Sequence, residues 1–145
     1  MRILVSACLL GVACRYDGQS KAYPLMDELC HRHEVVPVCP EIMGGLPTPR
    51  VPAERQGERV VTRDGGDVTA QYLRGAEEVA RLARKLGCTV AVLKERSPSC
   101  GSGEIYDGTF TGTLTNGFGV AGEALRQVGI RVLGESQLEA FLAEN

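Results

Sequence analysis

Six cysteines, at positions 8, 14, 30, 39, 88 and 100, are the residues of this chain best equipped for chemistry. Thiolates are soft ligands and suit zinc or an iron–sulfur cluster. No two of the six form a C-x-x-C pair, so the spacing of a zinc ribbon is missing. Cys8, Cys14, Cys39 and Cys100 instead lie where apolar runs give way to loops rich in Gly, Pro and Ser. Four ligands would close a structural metal site, whereas three would leave a position open for catalysis. Other polar groups accompany the thiols. Glu41 stands two residues beyond Cys39 in "VCPE", either as a solvated carboxylate or as a general base. In "KERSPSCG", Ser97 and Ser99 precede Cys100, and serines there either bond a substrate or close turns. Cys30 and Cys88 read as small buried hydrophobes. His31 and His33 end a predicted helix and suit its dipole better than they suit a metal.

Groups so far apart in sequence need a fold that gathers distant loops. The chain alternates. "RILVSACLL" reads as a strand, "YPLMDELCHRH" as a helix and "EVVPVCPE" as a second strand. A Pro/Gly/Arg stretch follows, too long for a simple connection. "VTAQYLRGAEEVARLARKLG" is the clearest helix, with Leu73, Ala76, Val79, Ala80, Ala83 and Leu86 at three- and four-residue steps. Asp67 or Thr69 can cap its start and Gly87 its end. "CTVAVLKE" is a third strand, followed by the Gly/Ser/Thr-rich loop that carries Cys100. "VAGEALRQVG", "IRVLGE" and "SQLEAFLAEN" complete a helix, a fourth strand and a last helix. Such alternation predicts α/β class: a single three-layer domain over residues 1–145, built on a small, mostly parallel, Rossmann-like sheet of four or five strands. Ligands of such sheets bind beyond the carboxyl ends of the strands. Cys8 and Cys14 follow the first strand, Cys39 ends the second and Cys100 follows the third, so four thiols are expected on one edge.

Composition narrows the class of partner. A net charge of -2 gives no basic excess for duplex nucleic acid. There is no apolar run long enough to span a membrane. The opening residues invite reading as an export signal, but Ser6, Cys8 and Gly11 interrupt the apolar stretch, and a buried strand is the better reading. A cytoplasmic location is therefore expected, where thiols stay reduced. "GSGEIYDG" lacks the third glycine of a dinucleotide fingerprint, because Tyr106 stands in its place.

Taken together, "SACLLG…CRYDG", "VCPE…GGLPTPR" and "KERSPSCG" resemble the domain-of-unknown-function family that includes thiouracil desulfidase, across about positions 4 to 103. The resemblance implies a cytosolic iron–sulfur enzyme that removes sulfur from a thiolated pyrimidine base such as 2-thiouracil. It implies a [4Fe-4S] cluster held by three cysteines with the fourth iron open, and hydrolysis with the sulfide held on that iron. The ligand places fall on Cys8, Cys39 and Cys100, the acidic catalytic place on Glu41 and the serine on Ser97. Cys14 matches a family cysteine too, as a ligand or as a neighbour of the cluster. Two other readings stand beside this one. One is a metal-free cysteine-persulfide sulfurtransferase using Cys14 or Cys100. The other is a non-enzymatic binding module stabilised by zinc or a cluster.

Overall fold

The computed structural model describes residues 1–145. Its frame is one four-stranded parallel sheet. The strands are β1 (Arg2–Ser6), β2 (Glu34–Val38), β5 (Val90–Leu93) and β8 (Arg131–Gly134), in the order β2-β1-β5-β8. The two long intervening segments contain short antiparallel hairpins: β3 (Ala53–Gln56) with β4 (Arg59–Thr62), and β6 (Glu104–Tyr106) with β7 (Leu114–Asn116). The helices are α1 (Met26–Arg32), α2 (Pro40–Met43), α3 (Thr69–Lys85), α4 (Val120–Gln127) and α5 (Leu138–Glu144).

Residues along the central strands are apolar on both sides, as a sheet covered on both faces requires. Ile3, Val5, Val90 and Val92 meet Met26 and Leu29 of α1 and Phe141 and Leu142 of α5. Leu4, Ala91 and Leu93 turn the other way, onto Val79 and Ala83 of α3 and Leu125 of α4. This gives the three layers expected from the alternation. The hairpin β3–β4 packs outside them, with Val60 against Tyr72, Ala76 and Ala121.

Three local expectations need correction. The first strand stops at Ser6; Ala7–Leu10 form a 3-10 turn closed by Gly11 in a left-handed conformation (φ 98°), so Cys8 sits on a tight turn. Cys88 is buried as expected, but Cys30 is exposed, because α1 commits Met26 and Leu29 to the core and turns the next residue outward. The buried stripe of α3 is Tyr72, Gly75, Ala76, Val79 and Ala83, while Leu73 is exposed. The reason lies in α2. A Cβ on Gly75 would stand 1.9 Å from the Pro40 carbonyl oxygen, and one on Gly44 would stand 2.0 Å from that of Gln71. Backbone touches backbone at this crossing, so the face of α3 is set by its glycine. Replacing Gly75 by Ala should therefore destabilise the protein by the upper end of about 1–3 kcal/mol, or more, since backbone must move. Thermal melting of the variant checks this.

Candidate active site

The carboxyl edge of the sheet opens into a cavity of about 530 Å³. Ala7 and Cys8 reach it from the end of β1, Cys39, Pro40 and Glu41 from β2, and the run from Lys94 to Cys100 from β5. Cys14 lines it as well. The four thiols predicted on this edge thus share one cavity, and Glu41, Ser97 and Ser99 share it with them. His31 and His33 lie elsewhere: His31 bonds the Asp27 carbonyl through Nδ1 at 2.8 Å, and His33 faces the N-terminal amine.

Burial raises the pKa of the Cys8 thiol to about 11, with a further push from Cys39. It raises Cys14 to about 12, again helped by Cys39. Cys100 is pushed up by burial, against a hydrogen bond from the Ser6 hydroxyl that favours its thiolate. The Cys39 thiol points at the Cys14 carbonyl, with Sγ 3.8 Å from the oxygen. No three His, Cys, Asp or Glu groups converge tightly enough to hold a single metal ion. Thiols spread around a common space suit a body larger than one ion, and soft sulfur suits iron in a cluster. The donor set therefore fits an iron–sulfur cluster.

The loop of Cys100 is fixed from two sides. The Ser97 hydroxyl oxygen accepts the N–H groups of Ser99 and Cys100, each at 3.1 Å. From outside, Gly119 N–H, Val120 N–H and Ala121 N–H donate to the carbonyls of Gly101, Pro98 and Ser99. The start of α4 thus holds the loop by hydrogen bonds its own first turn would otherwise lack. Only glycine fits at 119, because a Cβ there would lie 2.4 Å from the Ser99 backbone.

Glu41 is surrounded by donors. Arg50 ion-pairs with Oε2. Oε1 accepts the Tyr72 hydroxyl at 3.1 Å and the Ser99 hydroxyl at 3.0 Å. A carboxylate has about four acceptor directions, so these three bonds leave about one for a water. Arg50 also donates to the Cys14 carbonyl at 3.0 Å, tying the carboxylate to the Cys14 loop. Burial lowers the pKa of the Arg50 guanidinium, but attraction to Glu41 outweighs it and the net shift is upward. Tyr72 is pushed far above its ordinary range, by burial first and then by the Glu41 charge, so its hydroxyl stays a donor. Ser97 and Ser99 lie 3.0 Å apart, oxygen to oxygen. With Ser99 donating to Glu41, Ser97 donates to Ser99, and a hydrogen-bonded chain runs from Ser97 to the carboxylate. Ser97 thus closes a turn and also belongs to a polar chain in the cavity.

Arg50 and Tyr72 were not legible as site residues. Arg50 sits in a loop with several other cations, and Tyr72 looks like one more amphipathic helix position. Ser99 was in view, but nothing in "SPSC" says which serine is buried; Ser99 is 2% exposed.

A parallel α/β sheet whose carboxyl edge presents soft thiols beside a carboxylate defines a thiol-lined, enzyme-like α/β domain. The chain belongs to the 2-thiouracil desulfurase family, which it matches over residues 3–137. It is 42% identical, over 150 residues, to the uncharacterised protein YbbK of Bacillus subtilis (strain 168), covering 97% of this chain and 99% of that one. Among solved structures it is similar to the [4Fe-4S]-dependent thiouracil desulfidase TudS. The two share 51% identity and a TM-score of 0.93, over 99% of this chain and 96% of the other.

Proposed function

We propose that this chain is a [4Fe-4S]-dependent desulfidase that converts a thiolated pyrimidine base, of the 2-thiouracil kind, to its oxo form by hydrolysis. The observation that carries the reading is the meeting of Cys8, Cys39, Cys100 and the Glu41–Ser99–Ser97 chain in one cavity, in a chain of this family. Cys8, Cys39 and Cys100 would hold the cluster, with Cys14 beside it. When bound, the cluster would supply a soft Lewis acid suited to polarising a thiocarbonyl group.

The chain's own residues supply the rest. Glu41, with one acceptor direction left, orients a water and takes its proton as the oxygen attacks the C=S carbon. Arg50 and Tyr72 fix the plane of the carboxylate. Ser99 and Ser97, each donating toward the carboxylate, hold Glu41 in place, and Glu41 itself would pass the proton on to the ring or the leaving sulfur. The balance is C=S plus water giving C=O plus hydrogen sulfide, with no electron donor. A reducing compartment such as the cytoplasm would keep the thiols available.

Anaerobically prepared protein should carry iron and labile sulfide, and should turn 2-thiouracil into uracil and sulfide. In ¹⁸O-labelled water the label should enter the uracil. Desulfuration without iron would favour the persulfide sulfurtransferase. A cluster-bearing protein inert toward thiolated bases would favour a binding module.

A further inference from the structure

We propose that Phe110 is the surface on which the ring of the planar heterocycle stacks, and so a specificity-determining residue of this site. The inference rests on the desulfidase reading for the chemistry of the ring, but on the second hairpin for its geometry.

The chain has three phenylalanines and no tryptophan. Phe141 is buried in the core. Phe118 is covered by the Arg126 guanidinium, 4.2 Å from its ring centre. Phe110 has no such partner; it lines the cavity that holds the thiols and Glu41. Its backbone is left-handed, with φ of 58°. An aromatic residue rarely adopts that conformation, and residues held in it cluster at ligand sites.

What holds it there is a set of specific bonds. The Glu54 Oε1 atom accepts both the Gly108 N–H at 2.9 Å and the Phe110 N–H at 3.2 Å. Gln56 donates to the Gly108 carbonyl at 2.8 Å. A Cβ at Gly108 would lie 2.6 Å from the Gln56 side chain and 3.0 Å from the Arg55 carbonyl oxygen, so the crest of the second hairpin sits flush against β3. A turn fixed this firmly around a strained residue delivers that residue's side chain somewhere, and here it is delivered to the cavity. Tyr16, Tyr72 and Tyr106 line the same cavity, but Phe110 alone among these aromatics is held in a left-handed turn. A flat, polarisable ring lining a space for a pyrimidine can serve as a stacking platform, and base–aromatic stacking accepts any base.

The test uses cluster-loaded enzyme and 2-thiouracil. Phe110→Gly accepts the left-handed backbone without strain, so its fold should persist. KM should rise about 10- to 100-fold, as loss of a stacked ring produces, with kcat within about threefold. Phe110→Tyr should restore KM. Phe110→Trp places the only tryptophan of the chain in the cavity, and its emission should quench saturably on addition of 2-thiouracil. An unchanged KM in Phe110→Gly, or a Phe110→Trp emission indifferent to 2-thiouracil, overturns the inference while the desulfidase reading stands on wild-type turnover. Saturable quenching in a protein whose wild type leaves 2-thiouracil intact overturns the desulfidase reading and keeps the platform.

Discussion

A Glu41→Gln protein should keep its cluster and its colour yet lose turnover by about 10²–10⁴-fold, the range for a positioned general base. The amide is nearly isosteric, and Cys8, Cys39 and Cys100, the proposed ligands, remain to hold iron. A hard carboxylate is also a poor ligand for an iron that would, on the proposed reading, receive sulfur. The surroundings add a second expectation. Glu41 accepts from Arg50, Tyr72 and Ser99, and the Arg50 side chain is only 5% exposed. Neutralising one member of a buried ion pair costs about 3–5 kcal/mol when nothing replaces it. An amide oxygen can still accept from some of these donors, so the stability loss should fall below that range. Iron content, visible absorption, melting temperature and kcat separate the effects. Full iron with near-normal desulfuration would remove Glu41 from the chemistry; loss of iron would make it a ligand or a structural partner.

Cys39→Ala should abolish cluster and desulfuration together, reducing activity to background, and Cys8→Ala and Cys100→Ala should do the same. Each thiol comes from the end of a different parallel strand, so no neighbour in sequence can substitute for it. Without a cluster the Cys8 and Cys100 thiols stay protonated: burial raises Cys8 to about 11 and pushes Cys100 upward. Ligation requires the thiolate, so loading should release protons. Cys14→Ala should retain iron if Cys14 is a neighbour and lose it if Cys14 is a ligand; with three ligands assigned elsewhere, retention is the expected result. Iron and sulfide analysis of the four variants, prepared anaerobically, decides among them. Iron retained at wild-type level in Cys39→Ala would remove that residue from the ligand set.

The gathering of four thiols at one edge was readable from topology alone, because parallel strands point their carboxyl ends the same way. What surrounds Glu41 was not. Arg50 and Tyr72 reach it from a loop and from α3, and neither contact leaves a local spacing in the sequence. Leu73 fits the apolar periodicity of α3 yet is exposed, because periodicity counts apolar residues, whereas this face is chosen by how closely Gly75 approaches α2. The hairpins escaped notice for a different reason. Strands such as "AERQ" and "EIY" span four and three residues, too short for alternation to register.

Those hairpins add no strand to the four-stranded sheet, and β6 meets the loop after β5 through a single bridge between Ile105 and Arg96. The floor of the cavity is therefore cut from the strand ends of the sheet, and part of its wall from the two inserts. Evolution can lengthen, shorten or repaint such inserts without disturbing the register of a single core strand. A lineage could change which molecule it admits while leaving the reacting centre as it was, one hairpin crest at a time.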